Sequence, residues 1–308
     1  MQDTQIRAEE VGVSGRQAYA DVVEALRAAA HRPARSPGPA AADRVAWTER
    51  RLAEVERQLD EQRRTLAAEH ALAARLQQII LPIPDGPIEL PGLVVALRYL
   101  PAGQESFVGG DWYHAAGLRD GSVLLAVGDV AGHGTQAATA MAQLRHALRA
   151  LAVTATDPGV LLGLLNRLTC DLEVDKPELC GTAVLARYEP GIRRLTWAQA
   201  GHPPPLLSRS GRTAPLDRPA GPMLGVTDDA SYGCATVQLG PGDVLLLYTD
   251  GLIEHRRRGL DHGLEAVAAA VDEAVAASPG QPLTSLLDHL RRANPDDDTC
   301  ILAARRSL

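Results

Sequence analysis

Aspartate residues stand at the ends of several apolar segments in this chain of 308 residues. Asp129 follows the apolar run "SVLLAV" within "GDVAGHG", and Asp250 closes the run "DVLLLYTDG". Asp111 lies in "GGDWY", and three consecutive aspartates at 296–298 directly precede "TCIL". Because such runs predict buried strands, we expect the carboxylates at the rims of sheets, beside glycine or proline turns.

This pattern indicates a site for hard divalent cations. Neighbouring carboxylates repel one another unless a positive charge lies between them. Mg2+ and Mn2+ take oxygen ligands and keep several waters, so a few aspartates suffice. Two such ions about 3.5 to 4 Å apart would lower the pKa of a bridging water, which predicts hydrolysis of a phosphate ester. Taken singly, each of these aspartates is more typical of a plain turn.

The elements that must position these aspartates are mostly short strands joined by turns. Helical periodicity interrupts them at Thr135–Ala155 and Gly159–Val174, and again at Gly263–Ala276 and Leu283–Arg292. Since turns rather than helices join most neighbouring strands, antiparallel sheets with helices outside are favoured over a doubly wound parallel sheet. The predicted strands are "LVVALRYL", "WYHAAGL", "SVLLAVGDV", "TAVLARYEP", "RRLTWAQAG", "ATVQL", "DVLLLYTDG" and "TCILAARR".

The N-terminal part of the chain differs in composition from the rest. Residues 1–42 are predicted to be a flexible segment with one short helix around Arg16–His31 and a linker rich in proline and alanine. Residues 43–81 contain no proline or glycine and are predicted to form a long helix with Asp43 as its N-cap. Residues 82–308 are predicted to form the catalytic domain.

The long helix carries one apolar stripe with a seven-residue spacing. The stripe is regular, but the companion positions mix polar with apolar residues, so a weak coiled coil and a helix docked on its own domain are equally favoured. Its members are Val45, Leu52, Leu59, Leu66, Ala73 and Ile80.

Composition excludes several classes of protein. The formal net charge of −7 and the pI near 5.7 argue against binding nucleic acid through a general basic field. The cysteines at 170, 180, 234 and 300 form no CxxC pair, which predicts reduced thiols rather than disulfides or structural zinc. No apolar run approaches the roughly 20 residues of a membrane helix, and the first ten residues contain no signal-peptide core. We therefore expect a cytoplasmic protein.

The ordered motifs resemble the protein phosphatase 2C (PPM) class of metal-dependent serine/threonine phosphatases. The segment "VGGDWYHAAGLRDGSVLLAVGDVAGHG" is similar to the bacterial branch that contains the sporulation stage II phosphatase and the sigma-factor regulatory phosphatases. "LQQIILP", "QAGHPPPLL", "GPMLGV", "LLLYTDGLIE" and "DDTCILAAR" fit the same branch in order. The resemblance covers roughly residues 72 to 306, and its five ordered motifs make it specific. It implies an α+β fold, an antiparallel β-sandwich flanked by α-helices and here preceded by the long N-terminal helix.

The resemblance also implies a set of site residues. Two Mn2+ or Mg2+ ions would be held by the carboxylates of Asp111, Asp129, Asp250 and Asp297 and by the backbone carbonyl of Val130, with Asp129 bridging both ions. Because three aspartates occur in a row, the terminal ligand could instead be Asp296 or Asp298. His133 is either a group that handles protons near the ions or a turn residue between Gly132 and Gly134. Supporting positions are Gly110, His133, Gly251 and Asp298, and no arginine stands out as a phosphate ligand.

The implied activity is hydrolysis of phosphoserine or phosphothreonine on a regulatory protein. By resemblance, the substrate would be a phosphorylated anti-sigma-factor antagonist in a partner-switching pathway, with no nucleic-acid or membrane partner. The helix at 43–81 would bind a second copy of the chain or a separate activator. The alternative is a catalytically silent phosphatase fold that only binds a regulatory partner, although silent relatives of enzymes usually lose carboxylates that are all present here.

Overall fold

Eleven strands among the described residues form the framework of the protein. The structure, a computed structural model, describes residues 39–101, 109–132, 134–173, 179–254, 259–277, 283–290, 294 and 297–307. The strands are β1 (Ile88–Leu90), β2 (Leu93–Leu100), β3 (Trp112–Gly117), β4 (Val123–Val130), β5 (Gly181–Glu189), β6 (Arg194–Ala200), β7 (Leu206–Arg209), β8 (Arg212–Pro215), β9 (Ala235–Gln238), β10 (Val244–Tyr248) and β11 (Thr299–Arg306).

These strands form two antiparallel sheets. One has the order β1-β2-β11-β10-β7-β8, and the other has the order β3-β4-β5-β6-β9. Within each named strand pair the neighbours run antiparallel. Each of the eight predicted strands is present, which confirms the predicted antiparallel sandwich.

Side chains of β10 and β11 alternate between two apolar cores. Leu245 and Leu247 of β10 lie in the core between the sheets, together with Leu302 of β11. Leu246 and Ile301 point to the opposite face and lie in a second core with α-helical residues. Because successive side chains of a strand point to opposite faces, a strand covered on both faces must be apolar throughout. This explains why "VLLLY" and "CILAA" contain no charge.

Among the described residues, four α-helices supply the outer layers, and a fifth precedes the sheets in the chain. They are α1 (Pro39–Ile80), α2 (Thr135–Leu151), α3 (Pro158–Glu173), α4 (Leu260–Ala277) and α5 (Leu283–His289). Helices α2 and α3 contact the sheet of β3 to β6, whereas α4 and α5 contact the sheet that contains β2, β7 and β11. All four were predicted, with ends that differ by a few residues. Helix α2, for example, ends at Leu151 rather than Ala155.

Helix α1 begins earlier than the sequence pattern indicates. The prediction that Asp43 caps the helix is wrong, since α1 starts at Pro39. Proline is compatible with the first turn of a helix, and the three alanines that follow it have the highest helix propensity. The chain divides into two compact units, Met1–Thr65 and Leu66–Leu308. In the first unit α1 is largely exposed, with Val45 56% and Leu59 42% accessible. The short helix predicted around residues 16–31 lies outside the described residues.

The β7–β8 hairpin was not predicted from the sequence. The hairpin turns at Ser210 and Gly211, whose φ angles are 53° and 77°. Two consecutive positive φ angles are typical of a tight two-residue hairpin turn. The "SG" pair between "LLSR" and "RTAP" was therefore a signal for it. Among the described residues, the cysteines at 170, 180, 234 and 300 form no disulfide. Among the described helices, none is both long and apolar enough to cross a bilayer.

Candidate active site

The sheet topology brings the predicted aspartates to one end of the sandwich. Asp111 directly precedes β3 and Asp129 is the penultimate residue of β4, and these strands pair with Trp112 opposite Gly128. In the other sheet, Asp250 follows β10 and Asp298 directly precedes β11, where Tyr248 lies opposite Ile301. In an antiparallel pair, the start of one strand lies beside the end of its neighbour. The aspartates of each sheet therefore lie together at one end of its strands.

The aspartates of the two sheets interact electrostatically with one another. Asp129, Asp298 and Asp250 each raise the pKa of Asp111, and Asp297 raises the pKa of both Asp129 and Asp250. We call the five residues Asp111, Asp129, Asp250, Asp297 and Asp298 the acidic cluster. Four of them are the predicted ligands, and the fifth is the predicted alternative to Asp297.

Glycines let the backbone approach the acidic cluster closely. A methyl group on Gly110 would overlap the carbonyl oxygen of Val130 and would lie 2.7 Å from Oδ1 of Asp129. A methyl group on Gly109 would overlap the carboxylate of Asp298. The Val130 carbonyl therefore lies beside the carboxylates, where the resemblance implies that it acts as a ligand. This is a close-approach role for glycine, and any larger residue would displace the carboxylates.

Gly132 and Gly134 turn the chain from β4 into α2. Their φ angles are 102° and 80°, in the region that favours glycine, and α2 begins directly afterwards at Thr135. This confirms the predicted reversal of the chain at "GDVAGHG". His133 and Asp296 lie outside the described residues, so the two interpretations of His133 stay open.

Thr249 joins the two halves of the acidic cluster. Its hydroxyl donates a hydrogen bond of 2.7 Å to Oδ2 of Asp111 and accepts one of 2.8 Å from the backbone N–H of Cys300. Thr249 and Asp111 are both buried. The threonine immediately precedes Asp250 in "YTDG", but nothing in the sequence showed that it would reach an aspartate of the other sheet.

Burial and mutual repulsion raise the pKa values of the cluster. Burial is the main cause for Asp111, whose pKa is well above its usual range, and the Asp129 charge adds to it. Burial and the Asp250 charge raise the pKa of Asp129 to about 7, and burial and Asp297 raise that of Asp250 to about 6. Burial also raises the pKa of Asp297. A positive charge among these groups would offset both burial and repulsion.

The donor set fits a hard divalent cation better than a side-chain cation. Among the described residues, no arginine or lysine forms an ion pair with Asp111, Asp129, Asp250 or Asp297. In that same part of the chain, no three acidic, histidine or cysteine side chains meet closely enough to form a complete ligand set. Mg2+ is usually bound by one or two carboxylates and keeps several waters, so a loose group of carboxylates suits it.

His202 is a buried histidine near the site, and its hydrogen bonds show a structural role. His202 is wholly buried, and its Nε2 donates a hydrogen bond of 2.9 Å to the Tyr248 carbonyl. Its Nδ1 therefore accepts from the hydroxyl of Thr182 at 2.8 Å, and burial lowers its pKa to about 4. His202 is thus a neutral structural residue. Thr182 lies opposite Asp129 in the β4–β5 pair.

Arg145 on α2 connects the end of α1 to β3. It donates from Nε to the Tyr113 carbonyl at 3.0 Å and from Nη1 to the Ile80 carbonyl at 2.8 Å, and its guanidinium lies over the Tyr113 ring. The Tyr113 hydroxyl in turn donates to the Pro82 carbonyl. Since Tyr113 is two residues from Asp111, these contacts fix the strand that carries one predicted ligand. The sequence pattern of α2 did not indicate these contacts.

Comparison with known proteins agrees with this architecture. The family described as stage II sporulation protein E (SpoIIE) matches residues 119–307, more than half of the chain. The chain is similar to the phosphoserine phosphatase RsbU of Bacillus subtilis, with 27% identity over 79% of this chain and 71% of that protein.

Solved structures share the fold. The RsbU and RsbW domains of a Mycobacterium tuberculosis protein are 31% identical, with a TM-score of 0.62 over 71% of this chain and 61% of that one. RsbX, solved in complex with magnesium, is 16% identical, with a TM-score of 0.55 over 72% of this chain and 98% of that one, and shows the fold alone. The extent of the family match, together with the sandwich and its acidic edge, shows that the chain belongs to the SpoIIE family of PP2C-like protein serine/threonine phosphatases.

Proposed function

We propose that this chain hydrolyses phosphoserine or phosphothreonine on a regulatory protein with the help of two divalent cations, Mn2+ or Mg2+. The observation that carries the proposal is the acidic cluster at one end of the sandwich, in which burial and neighbouring carboxylates raise the pKa values of Asp111 and Asp129. The ions themselves would polarise the phosphate and make a bound water nucleophilic near neutral pH.

The residues of the site have distinct proposed roles. Asp111, Asp129, Asp250 and Asp297 and the carbonyl of Val130 would hold the ions. Thr249 would keep the Asp111 carboxylate in one orientation through its 2.7 Å hydrogen bond. Asp298, which is buried beside Gly109, and Asp296 are the alternatives to Asp297.

The proposed substrate is a phosphorylated anti-sigma-factor antagonist. This finer assignment is supported by the likeness to the phosphoserine phosphatase RsbU and by the resemblance to the sigma-factor regulatory branch. A cytoplasmic location, which partner switching requires, remains a prediction.

Hydrolysis can be tested directly with purified protein. We expect p-nitrophenyl phosphate and a phosphoserine peptide to be hydrolysed only when Mn2+ or Mg2+ is added. Asp129→Asn and Asp250→Asn should each abolish the metal-dependent rate, whereas Asp229→Asn, at an exposed aspartate outside the acidic cluster, serves as the matched control. A wild-type protein that binds metal but stays inactive would point to a missing activator. A protein that binds no metal would favour the silent binding module.

Helix α1 is the proposed site for a second copy or an activator. Its stripe exposes Leu59 and Leu66, 42% and 51% accessible, and such apolar side chains are available to a partner helix. Replacing Leu52, Leu59 and Leu66 by serine should lower the oligomeric state in sedimentation or change the basal rate. If both stayed the same, the helix would be only a spacer.

A further inference from the structure

We propose that a groove beside the acidic cluster binds the polypeptide segment that flanks the phosphorylated residue, and that Arg218 selects an acidic side chain in that segment. This inference rests on the proposed phosphatase function and names the feature of the substrate that the site would recognise. The groove is a cavity of about 450 Å³ that Asp250 lines, so it is continuous with the acidic cluster.

The walls of the groove are apolar and held by rigid elements. They include the prolines of "GHPPP", the end of β8 and the start of α4. Proline has a fixed φ angle, so these walls are formed before any ligand arrives. Leu260 is 54% exposed, which leaves its side chain available for contact. The apolar residues that line the groove include Pro203, Pro204, Pro215, Leu216, Ile253 and Leu260.

The groove is larger and more apolar than phosphate binding requires. A phosphate group needs cations and N–H donors, whereas pockets with apolar walls and a few polar groups bury larger organic groups. A segment that extends from the phosphorylated residue would bring its neighbouring side chains onto the proline and leucine surface. Because Asp250 belongs to both the groove and the acidic cluster, the phosphoryl group would lie beside Asp250.

Among the described residues that line the groove, Arg218 is the only one with a positive charge, so it is the residue that would attract an acidic peptide. Its side chain is exposed at the groove, and no carboxylate of the described residues forms an ion pair with it. An exposed guanidinium with free N–H groups is suited to bind a carboxylate in a forked geometry.

The guanidinium of Arg218 is oriented by buried neighbours. Nη2 donates to the His202 carbonyl at 3.3 Å. With the amide of Gln199 oriented to satisfy both of its groups, its oxygen accepts from Nε of Arg218 at 3.3 Å, and its nitrogen donates to the same carbonyl at 3.2 Å. Gln199 and His202 are both buried, so the contacts lower the entropic cost of holding the arginine in place.

The remaining charges of the groove restrict where an acidic side chain can lie. Glu254 and Asp261 line the groove together with Asp250 and would repel a carboxylate placed near them. An acidic side chain is therefore favoured beside Arg218 and disfavoured beside these carboxylates. We expect one position of the acid relative to the phosphorylated residue to satisfy both conditions best.

A panel of short phosphoserine peptides tests the proposal. One acidic residue is placed in turn at each position on either side of the phosphoserine, with glutamine at that position as the reference. For wild-type protein with Mn2+, kcat/KM should be highest for one acidic position. In the Arg218→Gln variant this preference over the glutamine peptide should fall by about 2- to 5-fold, as expected for one exposed ion pair. Arg212→Gln, at an exposed arginine of β8 that does not line the groove, is the control.

The apolar wall is tested separately with Leu260→Ser. We expect the ratio of kcat/KM for the peptide to that for p-nitrophenyl phosphate to fall by about 10-fold, mainly through KM, since an apolar contact of this size discriminates by about that factor. Ile192→Ser, at a residue 50% exposed and outside the groove, is the control. Fluorescence anisotropy of a labelled phosphopeptide, measured in the Asp111→Asn background to prevent turnover, should rank the affinities of the wild-type, Leu260→Ser and Ile192→Ser grooves in the same order.

The outcomes separate this proposal from the proposed function. An active wild type with no acidic preference, or a preference that survives in Arg218→Gln, would overturn the role of Arg218. An equal loss for the peptides and p-nitrophenyl phosphate would show that Arg218 acts on the phosphoryl group, and this too would overturn it. Absence of metal-dependent hydrolysis of every compound by the wild type would refute the proposed function and the groove's role together.

Discussion

Thr249 offers a sharp test of how the acidic cluster is organised. Its hydroxyl is the only group changed by Thr249→Val, because valine has nearly the same shape. The substitution removes the hydrogen bond to Asp111 Oδ2 and the bond from the backbone N–H of Cys300, of 2.7 and 2.8 Å. The side chain is wholly buried, so water cannot replace either bond. Thr249→Ser keeps the hydroxyl and loses only a methyl group.

The expected magnitudes follow from the two groups left without a partner. A buried polar group without its hydrogen bond costs about 1 to 3 kcal/mol, so the valine variant should lose about 2 to 6 kcal/mol of unfolding free energy. The serine variant loses the transfer free energy of one methyl group, about 1 kcal/mol. The hydrogen bond from Thr249 also lowers the pKa of Asp111. Without it, protons compete better with a metal ion, and a lost supporting contact of this kind costs about 10- to 100-fold in metal affinity.

Two measurements check these values. Urea unfolding in the presence of a chelator gives the loss of stability, and calorimetric titration with Mn2+ gives the metal affinity. We expect valine to weaken metal binding strongly and serine to leave it close to the wild-type value. If the two variants bound Mn2+ equally well, the hydrogen bond from Thr249 to Asp111 would have no part in ordering the metal site, which would contradict the prediction.

Three further predictions concern buried charges and histidine. The pKa of Asp129 is raised to about 7, so the stability that its proton provides is lost as pH rises. In chelator, wild-type protein should therefore lose about 2 to 3 kcal/mol relative to Asp129→Asn between about pH 5 and about pH 8 in urea unfolding, and parallel pH curves would contradict this. Arg145→Met should cost about 2 to 4 kcal/mol of unfolding free energy, because the carbonyls of Tyr113 and Ile80 lose their donor. Arg149→Met, at an exposed position of the same helix, should not lower the melting temperature comparably. The pKa of His202 is lowered to about 4, so the stability that its neutral ring provides is lost as pH falls from about 6.5 to about 4. Relative to His202→Gln, the unfolding free energy of the wild type should drop by about 3 kcal/mol over that range, and an equal drop in both proteins would exclude a buried neutral imidazole.

The fold was predictable where local pattern and burial agree. Strands such as β10 and β11 are covered on both faces, so their apolar runs identified them without ambiguity. The start of α1 at Pro39 was mispredicted because the prolines before it suggested a linker, although proline is acceptable in a first helical turn. The β7–β8 hairpin was missed because its strands are only four residues each, too short for a periodic signal.

Residue types and their order along the chain determined the chemistry, and tertiary structure decided which groups act together. The sequence placed aspartates beside glycines at strand ends, and this local pattern predicted a metal-dependent hydrolase. It could not show that Thr249 of one sheet holds Asp111 of the other, or that Arg218 and Asp250 line one groove. Hydrogen bonds and electrostatic interactions act through space over a few ångströms, whereas these pairs are separated by many residues along the chain. Only the stacking of the two sheets brings Thr249 and Asp111 into contact, and only the folded chain places Arg218 and Asp250 along one groove.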